Sequence, residues 1–221
     1  MYYMFKNTKF FIFFALFISN IGFSQVNTYT FTETAATYSA LPIASATIAY
    51  TAPWDNHISG SAHEAPLGFN FVYDGNVQTT CFISPNGFIT FGNEATPTTY
   101  IPLSIGTAFI NGGAISALGL NLSATVGNDI IYNTIGTAPN RVFVVQWTNA
   151  QRVASPGDFN FQIRLNESSN TINIVYGACA PTGATVYTAQ VGIRSATNLF
   201  PQSDVKNRLQ TGTNINFPWQ A

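Results

Sequence analysis

Residues 67–92, LGFNFVYDGNVQTTCFISPNGFITFG, carry three short apolar runs separated by two turn signals. Leu67, Phe69, Phe71 and Tyr73 alternate with Gly68, Asn70 and Val72, which is the period of a strand with one buried face. Asp74-Gly75 between two such runs predicts a type I′ hairpin turn, because that turn needs positive φ at both central residues. Ser84-Pro85-Asn86-Gly87 suits a type I turn, with proline pre-setting φ and glycine closing it. The stretch therefore reads as a three-stranded meander.

The same periodicity recurs along the chain. Residues 28–34 read as a first strand with Tyr29 and Phe31 on one face, and residues 38–50 as short edge strands interrupted by Pro42. Residues 51–66 form a polar loop that carries Trp54 and both histidines, His57 and His63. Residues 94–111, with Pro97, Pro102 and Gly106, predict a long irregular connection, and residues 114–121 a small-residue strand packed on both faces. Residues 129–133 are a short strand and residues 137–140 a turn. Residues 141–148 are apolar on both faces, with Phe143, Val145 and Trp147 opposite Val142 and Val144, as in an interior strand covered on both sides. In residues 159–166, Phe159, Phe161, Ile163 and Leu165 face in while Asn160, Gln162, Arg164 and Asn166 face out. Residues 167–170 are a hairpin loop, residues 171–176 a returning strand and residues 190–194 a last clear strand. The tail, residues 204–221, is polar and ambiguous. No stretch sustains helical periodicity with caps. The pattern predicts an all-β fold, an antiparallel β-sandwich of jelly-roll-like or Ig-like type with about ten to twelve strands.

The first residues read differently. Lys6 and Lys9 precede an apolar run at residues 10–18, and Gly22 and Ser24 supply small residues for cleavage, so residues 1–24 are expected to be a signal peptide. Residues 25–221 would then form a single sandwich domain with no membrane insertion after cleavage. The formal net charge is −1, and only 8% of residues are charged, so a nucleic-acid partner, which needs clustered Lys and Arg, is not expected. Export to an oxidising compartment leaves two readings of Cys81 and Cys179 open: a disulfide, or two separate small apolar residues.

Several segments resemble a known family when taken together: PLGFNFVYDG, CFISPNGFITFG, APNRVFVVQWTNAQR, FNFQIRLNESSNTINIVYG and VGIRSATN. Their order is similar to that of a β-sandwich domain near the N-terminus of secreted and cell-surface proteins of Bacteroidota, flavobacteria above all. The resemblance covers roughly residues 28–208. It implies a module without a recognised active site, often followed by fibronectin-like repeats and a C-terminal domain that directs type 9 secretion. On this reading the chain is one part of a longer polypeptide. It is secreted or held at the cell surface, or periplasmic if no sorting domain follows.

Candidate chemistry is sparse. Trp54, Asp55 and His57 are the expected ligand-binding residues, because a tryptophan on a polar loop can stack on a sugar while flanking polar groups bond its hydroxyls. The competing reading of Trp54 is a lid packed over the end of the sandwich. Asp55, His57, His63 and Glu64 offer metal-ligating atoms, but their spacing matches no metal motif, so no metal and no cofactor are expected. There is no Gly-x-Ser-x-Gly elbow, and Asp74, Asp129, Asp158 and Glu167 sit at turns, where acids have a structural reason to be. Arg164 and Arg194 are expected on a solvated sheet face. The sequence thus predicts a non-catalytic module for adhesion, binding or display, with a glycan or a surface protein as partner. Two alternatives stand beside it: a carbohydrate-binding module using the aromatic loop, and a periplasmic accessory subunit of an export or gliding assembly.

Overall fold

A computed structural model describes residues 25–55, 62–92, 100–103, 112–153, 155–181, 187–195 and 205–212. Short 3-10 turns occupy Gln25–Thr28 and Ile43–Ser45. The strands are β1 (Thr47–Tyr50), β2 (Trp54–Asp55), β3 (His63–Tyr73), β4 (Asn76–Ser84), β5 (Phe88–Thr90), β6 (Ala114–Gly119), β7 (Leu122–Ala124), β8 (Ile130–Ile135), β9 (Val142–Arg152), β10 (Ser155–Asn166), β11 (Ile172–Pro181), β12 (Tyr187–Arg194) and β13 (Val205–Gly212). All pairs are antiparallel. One sheet has seven strands, in the order β1-β8-β9-β10-β11 with β7 paired to β9 and β2 to β7; the other has six, in the order β13-β12-β6-β5-β4-β3. This is the expected all-β, sandwich-like fold. The strand number exceeds the expectation because the two-residue β2 and the polar β13 carry little apolar periodicity.

The core lies between the sheets. Leu67, Phe71, Ile83, Ile89 and Ile115 come from the six-stranded sheet, and Phe143, Val145, Trp147, Phe161 and Ile163 from the seven-stranded sheet. Trp147 and Phe161 are cross-strand neighbours whose rings stack at 5.0 Å and 15°. The meander follows the sequence pattern: β3 alternates buried and exposed residues from Ala65 to Tyr73, and Asp74 and Gly75 turn the chain at φ 50° and 76°.

The second turn is placed differently from a surface turn. Asn86 is buried, and its Oδ1 accepts the amide of Leu122 at 3.1 Å. The carbonyl of Gly87 accepts the amides of Ala117 and Leu118. A Cβ at Gly87 would lie 2.3 Å from the carbonyl oxygen of Leu118, at φ +83°. Glycine is required here by close backbone approach as well as by φ.

Two expectations about strands are corrected. Residues 28–34 form no strand: Tyr29 packs on Tyr73 with ring centroids 6.0 Å apart, while Phe31 is 63% exposed. Their alternation supplies one anchoring ring, which is not enough to hold a strand. Of residues 38–50, Thr47–Tyr50 is an edge strand as expected, but residues 38–46 cross the outside of the seven-stranded sheet instead of pairing with it.

The outward sheet faces are also less open than expected. Gln162 and Arg194 point away from the core, yet both are fully buried. Pro102 and Leu103 pass over the six-stranded sheet: the Pro102 carbonyl accepts Arg194 Nη1 at 3.3 Å, and the Leu103 amide donates to Gln190 Oε1 at 2.7 Å. A strand whose two faces both meet other chain segments has no solvated face on which to place Arg194.

Candidate functional site

Of the expected ligand-binding residues, Trp54 and Asp55 lie within the described residues. Trp54 is 3% exposed and belongs to the core between the sheets. Its Nε1–H donates to the Asn128 carbonyl at 2.9 Å. Asn128 in turn accepts Asn149 Nδ2 on its side-chain oxygen at 3.1 Å, and the Asn149 amide donates to Asn160 Oδ1 at 3.0 Å. Asn149 adopts φ 44°, a conformation that asparagine tolerates better than most residues. The Asp129 carboxylate fixes the same corner by accepting the Ala52 amide at 2.7 Å. Trp54 is therefore a packed anchor, and the expectation that its ring offers a stacking face for a sugar is corrected. Asp55 is exposed next to it, paired in register with Ser123. His57 lies outside the described residues.

His63 opens β3 and sits between two tyrosines. Its ring lies 5.4 Å from that of Tyr132 and 6.3 Å from that of Tyr50. Its Nε2 is 3.4 Å from the Tyr132 hydroxyl, and its main-chain amide donates to the Tyr50 hydroxyl at 3.0 Å. The Tyr50 hydroxyl donates to the Ile83 carbonyl at 2.9 Å. Desolvation lowers the imidazole pKa below its usual 6.5, so the neutral ring is the favoured form. This cluster joins the two sheets at their edge. Among the described residues, no group of three or more His, Cys, Asp and Glu side chains could hold a metal ion.

The cysteines occupy different sheets. Cys81 lies on β4 opposite Ala65, and Cys179 on β11 opposite Phe159. Both are buried free thiols. Cys179 Sγ approaches the Asn160 carbonyl at 3.8 Å, whereas Cys81 neighbours Glu64 and Tyr132. Each sulfur is enclosed by its own surroundings, so the disulfide reading is corrected in favour of two separate packed thiols. Burial raises both thiol pKa values.

Of the most organised polar constellation, the sequence predicts only Gln162 and Arg164, as outward-facing residues. Gln146 on β9 and Gln162 on β10 stand opposite each other in register, on the outer face of the seven-stranded sheet. Gln162 Nε2 donates to Gln146 Oε1 at 2.7 Å and to the Ser39 carbonyl at 2.8 Å. Gln146 Oε1 also accepts the Leu41 amide at 2.7 Å. The amide orientations follow from the remaining partners: Gln146 Nε2 donates to Thr148 Oγ1, and Gln162 Oε1 accepts Arg164 Nε. Leu41 packs with Ile131 and Val144 in a small second core. At one end Asn133 Nδ2 donates to the Ser45 carbonyl at 2.9 Å. At the other, the Tyr38 ring lies so close to Gly177 that an added Cβ would stand 2.9 Å from it. Burial pushes the Tyr38 phenol up to about 12. Residues 38–45 thus run across β8, β9, β10 and β11, transverse to the strands. The outward apolar pair Val142 and Val144 gave the sequence signal that something covers this face; the covering segment itself, without periodicity and interrupted by Pro42, gave none.

The fold is an all-β sandwich whose described turns and faces are tied down by side-chain to main-chain bonds. The chain belongs to the NIDO-related family: the family model matches residues 28–217, and the match suggests an extracellular-type module. No curated protein and no solved structure matches it. Among the described residues, no helix is long and apolar enough to cross a membrane.

Proposed function

We propose that the protein is a non-catalytic, exported module for adhesion, binding or display at the cell surface, and that it forms part of a longer polypeptide. The observation that carries this reading is the NIDO-related match over residues 28–217, which spans the described sandwich from its first turn to β13. The internal use of turn acids supports it. Asp74, Asp129 and Glu167 bond to main-chain amides or to an arginine that ties a loop, which is the chemistry of a rigid scaffold. The motif order further supports a flavobacterial-type surface protein carried by type 9 secretion, with a surface protein as the partner class and no nucleic acid.

The test is protease shaving of intact cells of the native host, combined with attachment assays on a deletion strain. The protein should be cleaved on intact cells, and the deletion should reduce attachment in a way restored by the intact gene. Protection on intact cells with release by osmotic shock would overturn the surface reading and leave a periplasmic subunit.

A further inference from the structure

The segment that crosses the seven-stranded sheet is recognised chiefly through its main chain. The Ser39 carbonyl and the Leu41 amide are each met by a glutamine amide, and these two glutamines are 0% and 3% exposed. Main-chain recognition of this kind accepts any extended peptide of the right direction, and one apolar pocket then selects the side chain. Here the pocket is formed by Ile131 and Val144, and Leu41 fills it at 7% exposure. The flanking Ser39, Ala40 and Pro42 are exposed.

The segment lies between an irregular stretch and a short turn. Residues 30–37 before it are exposed and outside regular structure. After it, the Ile43–Ser45 turn is held by local bonds, from Ser45 to the Pro42 carbonyl and from Ala46 to the Ile43 carbonyl, and by a single side-chain bond to the sheet, from Asn133 to the Ser45 carbonyl. A short turn between an independently held segment and a strand is the usual hinge for exchange of that segment between identical chains.

We propose that this transverse groove is a peptide-binding site whose occupant in trans is the equivalent segment of a second copy of the chain. The argument for that occupant is complementarity: the segment already supplies the leucine, the small flanking residues and the main-chain spacing that the glutamine pair requires. The proposal does not depend on the adhesion reading, since it concerns association between copies wherever the protein resides.

A fluorescent peptide spanning residues 36–46 is titrated into the full chain and into its Leu41→Asp variant. The variant, with its own segment released, should bind the peptide saturably and at least tenfold more tightly than the unaltered chain. Adding Gln146→Leu, or using a peptide with Leu41→Asp, should abolish binding. A variant that keeps its β-sheet circular dichroism and binds no peptide overturns the proposal, as does binding that survives both changes. Should Leu41→Asp not fold, a Leu41→Cys/Val144→Cys full chain decides the matter. Isotopically light and heavy copies are mixed at rising concentration, oxidised, and analysed by mass spectrometry. Light–heavy 41–144 links support exchange between copies; links confined to one copy at every concentration overturn it.

Discussion

Arg141 and Glu167 are joined at both side chain and main chain. Arg141 Nη2 and Nε reach the two carboxylate oxygens at 2.5 and 2.8 Å, the Arg141 amide donates to Oε2 at 3.1 Å, and the Glu167 amide donates to the Arg141 carbonyl at 2.9 Å. The same guanidinium donates through Nη1 to the Gly68 carbonyl at 2.6 Å and lies 5.6 Å over the Phe69 ring. One side chain therefore pins the turn before β9, the β10–β11 hairpin and the edge strand β3. A lysine offers a point charge where this site uses a planar fork. Arg141→Lys should lower the melting temperature nearly as far as Arg141→Ala, which thermal denaturation will show.

Two ionisable groups contribute to the acid side of stability. The hydrogen bond from Arg141 lowers the Glu167 pKa below its usual 4.5, so its contribution is present above that value and is lost as pH falls through the folded pKa. Desolvation lowers the His63 pKa below 6.5. The folded state binds the imidazole proton less readily than the unfolded state, so stability is full above 6.5 and declines as pH falls from there to the folded pKa. Urea titrations across pH should show His63→Gln removing the loss that begins near 6.5 and Glu167→Gln removing the one that begins near 4.5.

Truncation of Phe161 tests the core. It is fully buried against Trp147, and Phe161→Ala should cost about 3–5 kcal/mol in chemical denaturation. Val126 is 79% exposed, and Val126→Ala should change stability by no more than about 0.5 kcal/mol.

The buried turn between β4 and β5 has its own test. Asn86→Ala leaves the buried Leu122 amide without its acceptor and should cost about 1–3 kcal/mol. Gly87→Ala should cost at least as much, since the new methyl meets the Leu118 carbonyl and φ is positive. Equal stability of either variant and the unaltered protein would show that this turn is not held as described.

Free buried thiols make a simple chemical prediction. Burial raises both thiol pKa values, so Cys81 and Cys179 should resist iodoacetamide in the folded protein and both react on unfolding without reductant. Mass spectrometry counts the adducts.

The inward half of this fold is legible in the sequence, and the outward half much less so. The alternation from Phe159 to Leu165 and the Asp74-Gly75 turn report directly on burial and φ, and the structure agrees with both. Gln162 and Arg194 alternate correctly, yet they are covered by irregular segments that carry no strand periodicity: Ser39–Leu41 over one sheet, Pro102–Leu103 over the other. Periodicity reports which side of a strand faces the core. It is silent on whether an irregular segment lies across the other side. Trp54 misled for a related reason. Its indole N–H is tied to the Asn128 carbonyl, so a tryptophan beside polar residues in the sequence marked an internal tie instead of a face open to a ligand.

The Asp74 carboxylate has a consequence for how the chain comes together. One oxygen accepts the Val26 amide at 3.2 Å and the other accepts the Ser195 hydroxyl at 2.5 Å, while the adjacent Tyr73 hydroxyl shares its one proton between the Ala114 and Arg194 carbonyls. The earliest described residues, a central turn and the end of β12 therefore close on one point, with sequence separations of 48 and 121 residues. Contacts so distant along the chain slow folding, because loop-closure entropy is lost before they form. A polypeptide emerging from a ribosome lacks Ser195 until the whole span from Asp74 to Ser195 has been made. The joint cannot lock before then, so the strands already made wait for the end of β12 before this corner of the sandwich closes.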